Sequence, residues 1–230
     1  MTFSISGFCQ KTDMVGVAIT TSSICVASRC PWVRARVGAA VTQNVTDPSL
    51  GNLMLDYLEQ GLNAQQSIDK VVKDRQFINY RQLALMDSKG NSAGYTGSET
   101  LGANAISQGS GCIAVGNLLN SVEVIQAMVD SFSNNVNLHL AERLLVALQA
   151  GLDAGGEEGP VHSAGLKVSH QHSWPLVDLR VDWADDDPVS ELVKLWRAYE
   201  PQMKDYNSRA IDPSQAPSYG VPGDLYLILL

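Results

Sequence analysis

Met1-Thr2-Phe3-Ser4-Ile5-Ser6-Gly7-Phe8 opens the chain, and the reading of these residues decides the fold. Phe3, Ile5 and then Phe8 alternate with Thr2, Ser4 and Ser6, which predicts a half-buried β-strand starting at residue 2. A core strand that starts there carries its own terminus into the fold. Thr2 is small, so removal of Met1 by an aminopeptidase would leave a hydroxyl beside a free α-amine. Such an amine titrates near pH 7.7–8, so part of it is neutral near pH 7 and can accept a proton. A hydroxyl with its own base is the threonine, N-terminal form of nucleophilic catalysis. The competing reading is a plain edge strand with Met1 retained, in which the Thr2 nitrogen is a peptide nitrogen and no base.

The bulk composition bounds the rest. The chain has 230 residues, 45% hydrophobic and 17% charged, enough for a substantial core in one large domain or two small ones. A net charge of -8 argues against nucleic acid or an anionic membrane surface as the main partner. No run of eighteen apolar residues predicts a transmembrane span, and no basic segment leads into an apolar one as in a secretory signal. Cys9, Cys25, Cys30 and Cys112 contain no Cys-x-x-Cys pair, so they read as buried free thiols of a reducing, cytoplasmic protein.

Outward from the first strand, Met14–Thr20 reads as a second strand after a turn at Lys11-Thr12-Asp13. Residues 24–28 and 36–42 read as further strands. Asp47-Pro48 starts a helix with Leu50, Leu53, Met54, Tyr57 and Leu58 on one stripe, closed by Gly61. Asn63 caps a second helix to about Lys73. Arg81–Asp87 and Ser92–Thr96 form a hairpin, and residues 111–116 a short strand. Val122–Phe132 is helical, and Asn137 caps a helix to Ala150. Strands follow at Ser163–Ser169 and Leu176–Trp183, and then a helix from Asp187-Pro188 to about Tyr199. Strand blocks and paired helices segregate, which favours an antiparallel α+β sandwich over a doubly wound sheet. The polar, proline-containing tail ends in an apolar run, 224–230, expected to dock on the domain or on a second subunit and so to favour a homo-oligomer.

Several motifs invite chemistry. Gly109-Ser110-Gly111-Cys112-Ile113-Ala114 matches a dinucleotide fingerprint, but a strand follows it where a helix should open. Gly111 to Gly116 lacks the Lys-Ser/Thr of a P-loop. His170-x-His172, with His162 nearby, has no third ligand of suitable spacing, so no metal and no other cofactor is expected. No Gly-x-Ser-x-Gly elbow is present. Asp178, Arg180 and Asp182 share one strand face, as a charge-paired surface. Asn44, at the end of Thr42-Gln43-Asn44, and Asn117, after Gly116, are amides at strand ends of the kind an oxyanion hole uses.

Taken together, several segments resemble one family in order. They are residues 1–5, Gly16-Val17-Ala18, Pro31–Ala39 and Thr42–Gly51, then Arg81-Gln82-Leu83, Thr96-Gly97, Gly116–Leu119, Ala141–Leu145, Val177–Asp182 and Asp187–Leu192. The chain resembles the bacterial and archaeal proteins of domain of unknown function 1028, assigned to the N-terminal nucleophile (Ntn) hydrolase superfamily. The resemblance covers about residues 1–199, leaving 200–230 as a C-terminal extension. It implies a four-layer αββα sandwich with two antiparallel sheets between helix layers. It also implies Thr2 as nucleophile on a small amide or peptide substrate. Where family members often carry a basic residue after the Val-Ala strand, this chain has Ser22, so a cation would come from Arg29 or Arg34. The rival expectation is a non-catalytic small-molecule-binding or scaffold protein on the same fold.

Overall fold

A computed structural model describes residues 1–218. The apolar run at 224–230 lies outside the described residues. Two antiparallel sheets make the centre. The six-stranded sheet has the order β10 (Val177–Val181), β9 (Ser163–Ser169), β2 (Met14–Thr21), β1 (Thr2–Cys9), β8 (Cys112–Asn117), β7 (Ala105–Gly109). The four-stranded sheet runs β3 (Pro31–Arg34), β4 (Gly38–Asn44), β5 (Arg81–Asp87), β6 (Ser92–Thr96). Helices α3 (Glu123–Asn134), α4 (Leu140–Asp153) and α5 (Pro188–Ile211) cover the outer face of the larger sheet. Helices α1 (Ser49–Glu59) and α2 (Ala64–Asp74) cover the smaller one. β1, β2 and β8 face β4 and β5 across the middle, so the expected αββα sandwich is what the chain forms.

β1 lies inside the larger sheet, with all of its residues buried. The alternation expected to separate core from water therefore separates two kinds of burial. Phe3 and Ile5 point to the helices and pack with Phe132, Leu144 and Leu148. Thr2, Ser4, Ser6 and Phe8 point to the second sheet. A hairpin joins β1 to β2, its Thr12 and Asp13 amides both donating to the Cys9 carbonyl. It sets the register Phe3↔Thr20 to Cys9↔Met14.

Most expected elements form, with local differences. Asn63 and Gln66 make a reciprocal capping box at α2. Asp47 accepts from the Ser49 amide at 3.1 Å and the Ser49 hydroxyl at 2.7 Å, with Pro48 between it and the helix. Residues 24–28 do not form a strand. Cys25 is left-handed with φ 57°, and Val26–Ser28 is a single 3₁₀ turn. Side-chain and loop partners hold this turn: Val26 N donates to Ser163 Oγ at 3.1 Å, and Cys25 N to the Asp182 carbonyl. Helix α4 starts at Leu140, not after Asn137, because His139 Nδ1 accepts the Ala141 amide while Asn137 binds Lys11. Helix α5 continues past Tyr199 through Pro201, since its buried stripe of Val189, Leu192 and Trp196 extends to Met203. The short strands β3 and β7 escape sequence reading: one begins at a proline, and the other is an edge with Ile106 exposed. No described helix is long and apolar enough to cross a membrane.

The candidate nucleotide motif lies in the β7–β8 hairpin, where Gly109 pairs with Cys112 around Ser110-Gly111. No helix opens there, so the phosphate reading has no structural basis. His162 stacks on Trp183 and His172 on Trp174, and Arg180 pairs with Asp178 at 3.3 Å.

Candidate active site

The layer between the sheets changes character along the strands. Near the β1–β2 hairpin it is apolar, with Phe8, Val15, Val17, Val41, Ala84, Met86, Ile113 and Val115. At the other end the same faces carry Thr2, Ser4, Thr21, Gln43, Gln82 and Asn117, all buried. Strand periodicity forces this: two-residue steps from Val17 through Ile19 reach Thr21, those from Val115 reach Asn117, and those from Val41 reach Gln43.

Thr2 is 6% exposed. It pairs with Asn117 as the last pair of β1 with β8, and it stands next to Thr21 just beyond the last pair of β1 with β2. Its Oγ1 lies 3.1 Å from Thr21 Oγ1. Both hydroxyls donate to the carbonyl oxygen of Met1. The terminus is therefore tucked between the sheets, with a carbonyl held against the Thr2 hydroxyl.

An amide relay lies beneath it. Gln43 Nε2 donates to Gln82 Oε1 at 2.8 Å, and Gln43 Oε1 accepts from Ser4 Oγ at 2.8 Å. Gln82 Nε2 donates to the Gly116 carbonyl at 2.9 Å, and Asn117 Nδ2 donates to Gln82 Oε1 at 3.2 Å. Each amide is fixed by another amide or by backbone, so the group is rigid before any ligand arrives. Asn117 Oδ1 stays buried and unpartnered.

The four residues singled out from sequence separate into different places. Thr2 and Asn117 come together. Arg29 stands two residues from Thr2: its Nη2 donates to Ser23 Oγ at 2.7 Å, and that hydroxyl lies 3.3 Å from Thr21 Oγ1. Asn44 is turned away, donating to the Tyr80 carbonyl at 2.6 Å and accepting from Leu101 N at 3.2 Å. Its left-handed φ of 73° takes it out of the strand alternation that aims Gln43 inward. Arg34 pairs with Asp56 and Glu59 on α1. The four cysteines are free thiols, and burial pushes Cys112 up to about 11 and Cys30 upward, which keeps both protonated and inert.

Sequence reading missed Thr21 and Glu157. Thr21 was legible, since β2 alternates Val15, Val17, Ile19, Thr21 beside a strand carrying the candidate nucleophile. Glu157 sits in a Gly-rich acidic loop with no local signal. Its residue is 3% exposed, and both carboxylate oxygens are buried, with Ser22 the polar group beside them but short of ordinary hydrogen-bond geometry. Burial pushes its pKa up to about 8, against the pull of the nearby α-amino group of Met1 and of Ser22.

A two-sheet sandwich with a threonine at the inner end of its central strand defines a class: a four-layer fold with a buried, terminus-borne hydroxyl site. The chain belongs to the family of unknown function DUF1028, whose family model matches residues 2–192. It is similar to the crystal structure of protein SPO2555 from Silicibacter pomeroyi, of the same family. That likeness has 31% identity and a TM-score of 0.80, covering 86% of this chain and 88% of the other. A more distant likeness is to Anbu (ancestral beta-subunit) from Yersinia bercovieri, with 9% identity and a TM-score of 0.40, covering 95% of this chain and all of the other. No curated protein matches the sequence.

Proposed function

We propose that this protein is an amide-bond hydrolase in which Thr2, freed by removal of Met1, is the nucleophile. Thr2 Oγ1 attacks the carbonyl carbon of an amide, and the Thr2 α-amine takes the hydroxyl proton. The tetrahedral oxyanion accepts hydrogen bonds from the Thr21 hydroxyl and from the second N–H of Asn117. Collapse breaks the C–N bond, and the departing amine takes the proton from the α-ammonium. Water, activated by the same amine, then hydrolyses the threonyl ester. Arg29, acting through Ser23 and Thr21, supplies positive potential.

The observation that carries this reading is the buried Thr2 hydroxyl, held beside Thr21 and against a carbonyl group. Loss of Met1 would uncover both hydroxyls and create the base in one step. Intact mass of the natively expressed chain tests the first requirement: a mass lacking one methionine is expected. Turnover of a panel of small amides and peptides by the processed chain, abolished in Thr2→Ala, tests the second. Turnover unchanged in that variant would reject the role of Thr2.

One observation favours a second reading. With Met1 in place, its carbonyl fills the space at both hydroxyls, and the nitrogen of Thr2 is a peptide nitrogen. A chain that keeps Met1 in the cell would be a binding or scaffold protein on this fold, and full mass would identify it.

A further inference from the structure

Two contacts of Met1, and the charge it places toward Glu157, describe a subsite. Its carbonyl oxygen takes the hydroxyls of Thr2 and Thr21. Its thioether lies against the bare backbone of Gly159, where a Cβ would meet Met1 Cε at 3.3 Å. The positive charge of its α-amino group is felt at the Glu157 carboxyl without an ion pair between them, and beside those buried oxygens stands Ser22, short of ordinary hydrogen-bond geometry.

Glu157 is built into this position. Its residue pairs with Leu119 in an isolated bridge, and its carbonyl accepts from Asn120 Nδ2 at 3.0 Å. The next amide, Glu158 N, donates to the Leu118 carbonyl at 3.0 Å. Leu118 and Leu119 continue directly from Asn117, the pairing partner of Thr2. The carboxylate is thus tied through a few residues of backbone to the strand that holds the nucleophile. Beside it opens a cleft of about 240 Å³ lined by Glu157, Gly159, Pro160, Asp186 and Asp187, among others. A buried carboxylate with only Ser22 beside it is costly unless a cation meets it, and an acidic cleft draws cations in.

We infer that Glu157 is the recognition residue for a substrate ammonium group, so that the site takes an α-aminoacyl amide: an amino-acid amide or the first residue of a peptide. This deepens the hydrolase reading and rests on it. Met1 marks the positions of the carbonyl and side-chain subsites, and Glu157 lies beyond its α-amino group. A free acyl group sits displaced from them, because it touches the Thr2 nitrogen rather than being bonded to it. Gly159 leaves room for an unbranched apolar side chain of methionine size. The ammonium docks on Glu157 while the carbonyl reaches Thr21 and Thr2.

The test uses chain beginning at Thr2, from native processing or released from a cleavable fusion, with mass verified. Calorimetry on the corresponding Thr2→Ala chain compares methioninamide with N-acetylmethioninamide. Methioninamide is expected to bind, acetylation to weaken binding at least thirtyfold, and Glu157→Gln to weaken methioninamide binding by a similar factor with no drop in melting temperature. Equal binding of the acetylated amide, binding unaffected by Glu157→Gln, or no binding of either ligand overturns the inference. Turnover separates it from the hydrolase reading. Thr2-dependent cleavage confined to N-acylated amides sinks the ammonium subsite and leaves the hydrolase. Glu157-dependent binding with no Thr2-dependent cleavage of methionine p-nitroanilide keeps the subsite and sinks the hydrolase. A loss in Glu157→Gln that is equal for free and acetylated substrates would place Glu157 on the Thr2 amine instead, which also overturns the proposal.

Discussion

The two ends of the inter-sheet layer use the same strands for opposite purposes. At the hairpin end, Phe8, Val15, Val17 and Met86 close the sheets with apolar surface around a single buried hydroxyl without a partner, that of Ser6. At the other end, Ser4, Gln43, Gln82 and Asn117 satisfy one another in a relay, while Asn117 Oδ1 and the Glu157 carboxylate are left over. Burying an apolar side chain stabilises by roughly 1.5–3 kcal/mol, whereas an unmet buried polar group costs about 1–3 kcal/mol. Stability is therefore concentrated near the hairpin, and most of the leftover polar capacity of this layer near the terminus.

This contrast can be broken at either end. The largest effect is expected from Thr2→Ala, which should lower amide turnover by about a thousandfold or more while shifting stability by no more than about 1 kcal/mol. Steady-state assays and a urea melt check the pair. The mirror result belongs to Met86→Ala at the apolar end. That substitution should cost about 2–5 kcal/mol by urea unfolding and leave kcat near wild type at a temperature where the chain is folded.

Between the two ends stands Gln82→Leu, which strands Gln43 and Asn117 together. It should cost about 1–3 kcal/mol and raise KM or lower kcat by disturbing Asn117.

The smaller tests sharpen the comparison. Burial raises Glu157 from the ordinary carboxyl value of 4.5 to about 8, so the folded state holds this proton more tightly than the unfolded one. Its contribution is fully present below pH 4.5 and is lost as pH rises to about 8, on the order of a few kcal/mol in all. Glu157→Gln should remove this slope: equal to wild type in melting temperature near pH 4, and above it at pH 9. Last, Asn44→Ala should leave turnover within about twofold, since its amide ties Tyr80 to Leu101 and does not reach Thr2.

Much of this was readable in the residues because it is local. The alternation at Thr2–Phe8, the capping box at Asn63 and the Asp187-Pro188 start each depend on neighbours within a few positions. The terminal hydroxyl was legible for the same reason. Asn44 was misplaced because a left-handed backbone angle at one residue breaks the periodicity that the reading relied on. The 24–28 turn is held by Ser163 and Asp182, far along the chain, so its apolar letters imitate a strand. Glu157 meets Leu119 only through the fold, and neither composition nor spacing carries that contact.

The tight β1–β2 hairpin has one more consequence. Thr2 and Thr21 are separated by two whole strands of chain, yet they are neighbours because Cys9 faces Met14 at the far side of the molecule. One residue added or deleted in that bend would slide the two strands by a single step. Thr21 would then swap sides with Thr20 and turn its oxygen toward the helices. The geometry around the Thr2 hydroxyl is thus governed by loop length at the opposite pole, and a length variant there would be a silent knockout under the proposed mechanism: folded, terminus intact, and without the Thr21 hydroxyl beside Thr2.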